Sequence, residues 1–148
     1  MLRTVVVAGT LLLGVGAVAA QQDQVAKTQL AMKSNGKNAG ALSAMLKGEK
    51  PYDQAAVDAA LAALEDVAVK FPTLFPESIK GLKPEGDYYA SPKVWTDRAG
   101  FEAHAGSFAK AVTEAKGKIK DLDTLKARLS AIGKECGGCH ETYRVKNS

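Results

Sequence analysis

The stretch Ala131-Ile132-Gly133-Lys134-Glu135-Cys136-Gly137-Gly138-Cys139-His140-Glu141-Thr142-Tyr143 holds both cysteines of the chain and one of its two histidines. Upstream of it, Leu122, Leu125, Leu129, Ile132 and Cys136 recur at helical spacing, and the stripe continues to Tyr143, so the two cysteines lie on a helix that Asp121 or Asp123 is placed to cap. Cysteines three apart on a helix point to the same side. Their company in the rest of the chain is helical as well, because no segment sustains the alternation of polar and apolar residues that marks a strand.

Three more helical segments precede this one. The first runs from Asp23 to Lys47, with Val25, Met32, Ala39 and Leu46 seven apart, Thr28, Asn35 and Leu42 filling the same stripe, and Gly48 and Pro51 ending it. Met45 falls on its outer side and is assigned to packing. The second starts at the cap residue Asp53 and carries Val57, Leu61, Leu64, Ala68 and Phe71 up to Pro72. From Pro72 to Pro92 the chain reads as one long crossing loop, with Pro76, Gly81, Pro84 and Gly86. The third helix follows Pro92, has Trp95 near its start and Phe101, Phe108, Val112, Ala115 and Ile119 on its inner face, and weakens at Gly117. Four such helices bury their stripes as an all-α antiparallel four-helix bundle. The alanines of the second helix, Ala59, Ala60, Ala62 and Ala63, supply little apolar volume, which suits a large flat group in the core near the last helix.

The residue after the second cysteine decides what the pair is for. A disulfide would leave His140 without a purpose, and zinc would need a fourth ligand where His104 is the only other histidine. A thioredoxin-like site opens a helix after a strand, and no strand pattern precedes Cys136. Cys-x-x-Cys-His in an exported chain instead matches covalent haem c, one per chain, with thioethers at Cys136 and Cys139 and the neutral imidazole of His140 as an axial iron ligand.

Export is read from the first residues. Met1-Leu2-Arg3 gives a positive start, Val5 to Val18 an apolar run, and Val18-Ala19-Ala20 small residues for cleavage, so residues 1–20 are expected to be a signal peptide and 21–148 one domain in the periplasm. The run is too short and too broken by Gly9, Gly14 and Gly16 to span a membrane, so no membrane attachment is expected after cleavage. The balance of 20 basic and 16 acidic residues is too weak to imply nucleic acid. Mixed runs such as Lys116-Gly117-Lys118-Ile119-Lys120-Asp121 read as a solvated face, with a docking patch for an acidic redox partner as the alternative.

Thr28-Gln29-Leu30-Ala31-Met32-Lys33, Met45-Leu46-Lys47-Gly48 followed by Tyr52-Asp53, Ser91-Pro92-Lys93-Val94-Trp95 and Cys136 to Arg144 resemble the class II cytochromes c, meaning cytochrome c-prime and its low-spin c-556 relatives. The resemblance covers nearly all of the chain after residue 20. It implies an electron carrier rather than an enzyme, with Met32 at the distal position as a second axial ligand. The c-prime branch implies the alternative, a five-coordinate iron that binds nitric oxide or carbon monoxide beside Met32. Arg144 resembles the family's arginine near the proximal side and is a candidate for a propionate contact, against a bland reading as a solvent-facing helix end. Thr28 departs from the pattern, since relatives often carry an arginine there. The sequence leaves both a monomer and a homodimer paired through the first helices open, and no histidine is placed for peroxidase-like acid–base work.

Overall fold

The computed structural model describes residues 13–147. Its helices are α1 (Leu13–Leu46), α2 (Gln54–Leu74), a four-residue α3 (Lys93–Thr96), α4 (Arg98–Ala115) and α5 (Leu122–Tyr143). In the bundle α1 packs on α2, α2 on α4, α4 on α5, and α5 back on α1, which closes a ring of four around a common interior.

Residues 1–12 of the expected signal peptide lie outside the described residues, and the remainder of that segment opens α1. Residues 18–20 are exposed. Further along, the Gln21 amide reaches the Ser78 carbonyl at 2.8 Å. Leu42 is fully buried and Met45 is in the core beside it, which corrects its placement on an outer side while leaving its packing role intact. Beyond Leu46, Gly48 takes φ +73°, and its N–H bonds the Met45 carbonyl at 3.2 Å. Only glycine adopts that left-handed turn without cost, so the helix ends where Gly48 stands.

Asp53 caps α2 as expected, accepting from the N–H groups of Ala55 and Ala56. The helix does not stop at Pro72 but carries it inside and runs to Leu74. Burial explains this outcome. Leu74 and Phe75 are both over nine-tenths buried, and Phe75 joins Phe71 and Phe101 with ring centroids 5.0 to 5.5 Å apart, so tertiary packing holds the last turn through the proline.

Two strands were not expected from the sequence. β1 (Tyr88–Ala90) pairs antiparallel with β2 (Arg144–Lys146), in the register Tyr88↔Lys146, Tyr89↔Val145 and Ala90↔Arg144. The crossing loop is therefore pinned to the residues that follow α5. The third helix is also split, because Asp97 leaves helical geometry and instead caps α4 by accepting from the Gly100 N–H. At the far end Gly117 takes φ +70°, and Ile119 is buried beyond the helix rather than on it. α5 starts at a capping box in which Asp121 and Thr124 satisfy each other's backbone N–H groups.

The core falls into two clusters. One gathers Leu42, Leu61, Leu64, Val112, Leu125 and Ile132, where α1 ends and α5 begins. The other is aromatic, with Phe71, Phe75, Trp95, Phe101 and Tyr143. A cavity takes its walls from both.

Candidate functional site

The cavity has a volume of about 550 Å³. That is within the roughly 300–1,000 Å³ typical of cofactor and ligand sites. α5 supplies one wall with Cys136, Cys139 and His140, all half-buried. α1 supplies the wall that holds Met32, Asn35, Gly36 and Ala39. The structure thus brings Met32 and the Cys-x-x-Cys-His segment, over a hundred positions apart, to one interior space.

Helical spacing sets the α5 wall. Cys136 and Cys139 stand three apart with His140 next, and Gly137 between them leaves open space, since a Cβ there would meet no atom within 4 Å. The cysteines are free thiols. Burial raises the pKa of the Cys136 thiol, and burial together with Cys136 pushes the Cys139 thiol up to about 11. Both thus stay protonated at neutral pH, the opposite of the low-pKa thiolate that dithiol redox enzymes use. Among the described residues no three His, Cys, Asp or Glu side chains converge as a zinc site would require.

Burial lowers the pKa of His140, and the positive charge of Arg144 lowers it further. The imidazole is therefore neutral at pH 7, with a nitrogen lone pair free to donate to a metal. Arg144 itself is exposed at the cavity rim, with its guanidinium 4.1 Å from the centroid of the Tyr88 ring. This cation–π contact, together with the Ala90↔Arg144 pairing, gives the arginine a partner that the sequence did not reveal.

Thr28 is 9 % exposed and donates its hydroxyl to the Leu74 carbonyl at 2.5 Å, tying α1 to the end of α2. His104, assigned no ligand role from the sequence, is a half-buried wall residue with its ring 5.6 Å from that of Tyr143. Two features of the site escaped sequence reasoning. Tyr143 donates its hydroxyl to Asp97 at 2.7 Å, joining the end of α5 to the cap of α4. The only clue was Asp97 three residues before Gly100, a cap spacing hidden within an apparently continuous helix. The other is the Oδ1 atom of Asn35, buried with no hydrogen-bond partner.

These residues fit a haem c: a cavity of suitable size, two thiols on one side of a helix, a neutral imidazole beside them and a thioether in the facing wall. No helix of the described residues is long and apolar enough to cross a membrane.

Comparison with known proteins points the same way. The family model for cytochrome c′ matches residues 23–144. Cytochrome c-556 of Rhodopseudomonas palustris is 60 % identical over 147 residues, covering 99 % of each chain. Cytochrome c′ of the same organism is 40 % identical over the same length and coverage. An NMR-validated structure of oxidized R. palustris cytochrome c556 superposes with a TM-score of 0.76 at 58 % identity, covering 86 % of this chain and 99 % of the other.

Proposed function

This chain belongs to the cytochrome c′ family and is a haem c cytochrome, and we propose that it works as a periplasmic one-electron carrier whose single haem is bound through Cys136 and Cys139 and ligated by His140 and Met32. The observation that carries this reading is the presence of Met32 and His140 in the walls of one cavity.

Bound in this cavity, haem c would supply the redox centre for one-electron transfer. The chain's residues do the rest. Cys136 and Cys139 fix the position of the group by thioethers, and His140 offers an uncharged donor whose neutrality burial secures. Met32 offers a soft sulfur on a flexible stem from the opposite wall. With His140 and Met32 both held by the fold, the ligand set would stay the same in both oxidation states and need little rearrangement per electron, and the apolar aromatic cluster that Met32 and Cys139 pack against would limit the entry of water. Location in the periplasm is supported by the exported character of residues 1–20 and by the exposure of residues 18–20 just ahead of Gln21, which fits cleavage there.

Absorption and magnetic spectra of the holoprotein and of a Met32→Ala variant test the reading. The expected result is a low-spin wild type that becomes high-spin in the variant. A wild type that is already high-spin would replace the carrier with a five-coordinate binder of nitric oxide or carbon monoxide, and a low-spin spectrum that ignores the substitution would remove Met32 as the ligand.

A further inference from the structure

One side of the cavity is covered by residues 82–87, of which Leu82, Pro84, Glu85, Gly86 and Asp87 line it. All of these but the half-buried Pro84 are exposed, and none of residues 80–90 is buried. A single thickness of chain therefore separates the cavity from solvent here, with no buried side chain of its own to hold it down. Its ends are fixed, since the Leu82 N–H donates to the Ile79 carbonyl at 3.2 Å and the segment runs into β1.

Between those ends two residues hold it. The Asn147 side-chain amide donates to the carbonyls of Pro84, at 3.3 Å, and of Gly86. The Asn147 backbone N–H donates to the Asp87 carbonyl at 2.8 Å, and the Gln29 side-chain amide to the Glu85 carbonyl at 3.1 Å. Four successive carbonyls of this strap are thus taken up by Gln29 and Asn147. Gln29 stands on α1 within one turn of Met32, while Asn147 follows β2 beyond the end of α5. The strap is tied to both walls of the cavity at once.

We propose that this strap is the door by which small neutral molecules reach the cavity, and that Gln29 and Asn147 are its latch. Hydrogen bonds at an exposed segment exchange for bonds to water at small net cost, whereas the flanking helices are held by buried apolar side chains. The strap therefore opens without the bundle. A molecule that has entered is held alike with the latch made or broken, so the latch sets how fast it comes and goes, not how tightly it is held.

The test compares the holoprotein with its Asn147→Ala, Gln29→Ala and doubly substituted variants. Asn147 does not line the cavity, so its truncation loosens the strap without reshaping a wall. Hydrogen exchange of the Asn147 and β1–β2 amides is measured first. Each single variant is expected to speed it at least about twofold, the low end of what one hydrogen bond of ordinary net strength represents, and the double variant by more than either. Amides of α4 should not change. Imidazole binding to the ferric haem is then followed in a Met32→Ala background, where no sulfur competes for the iron; this arm rests on the haem reading of the site. Entry and exit rates are expected to rise together, by the factor seen in exchange, with the affinity unchanged. Unaltered exchange would overturn the latch, and so would α4 amides that quicken as much as the ribbon, which would assign the effect to the whole fold. Faster exchange with unchanged imidazole rates would overturn the door, as would a change in affinity carried by the exit rate alone. Failure of the carrier reading shows separately, as a high-spin wild type, and alters neither arm.

Discussion

The hydroxyl of Tyr143 donates to the Oδ2 of Asp97 at 2.7 Å, so the residue that caps α4 also anchors the last turn of α5, three positions beyond His140. The bond raises the pKa of Tyr143 to about 12 and lowers that of Asp97 below its usual value of 3.8, where the Gly100 N–H adds to the effect. Tyr143, with its raised pKa, stabilises the fold fully below the ordinary phenol range near 10, and the contribution is lost as pH rises from there through about 12. Asp97, with its lowered pKa, stabilises the fold above the ordinary carboxylate range, and the contribution is lost as pH falls below it. Tyr143→Phe should therefore lower the Tm by about 3 to 6 °C between those limits. The gap from wild type should close at both extremes, and a gap independent of pH across thermal scans would contradict the pairing.

Gly100 lies under that bond. A Cβ there would stand 2.5 Å from both the Tyr143 hydroxyl and the Asp97 Oδ2. Gly→Ala in a helix ordinarily gains about 1 kcal/mol, but here one of the two polar groups must move. Gly100→Ala is expected to destabilise the fold by about 1 to 3 kcal/mol in denaturant titration. A stabilised variant would mean that the contact yields easily.

Phe101 is 2 % exposed and touches the rings of Phe71, Phe75 and Tyr143 at 5.0 to 5.4 Å. Phe101→Ala should cost about 3 to 5 kcal/mol. Because the ring lines the cavity, the same variant should also admit water to the haem side, visible as broadened absorption bands.

Covalent attachment predicts a mass. Protein exported from a bacterial host should weigh one haem more than the polypeptide that starts at or near Gln21, and that excess should survive acidified organic solvent. Cys136→Ser and Cys139→Ser should each retain the group through one thioether. The double variant should release it, and a double variant that keeps it under extraction would refute the thioether assignment.

The bundle was legible because its helices declare themselves locally. Asp53 and Asp121 are caps, Gly48 is a stop, and the stripes of Leu61, Leu64 and Phe71 or Leu125 and Ile132 need no distant partner to be read. Cys136, Cys139 and His140 likewise sit on a helix that the sequence announces, and their spacing puts all three in one cavity wall. What stayed hidden depends on residues far apart in sequence. Tyr88–Ala90 is too short to show alternation and gains its strand only from Arg144–Lys146. Pro72 is overridden by the burial of Leu74 and Phe75, and Met45 by contacts across the bundle. Met32 was placed inside by period alone, while the orphaned amide of Asn35 could appear only once the walls around it were built.

The ribbon of β1 and β2 has a consequence for how the cofactor is kept. It is three residue pairs long, is extended by the bond from the Asn147 N–H to the Asp87 carbonyl, and joins segments more than fifty positions apart. So small a ribbon is marginal by itself, forms late because its loop closure is long, and opens at lower free energy than the helices it borders. A cavity with such a hinged side would lose a merely enclosed group at each opening. The thioether tether proposed on α5 would make the strength of that side irrelevant to retention, leaving the ribbon free to set how far solvent and partners can reach in.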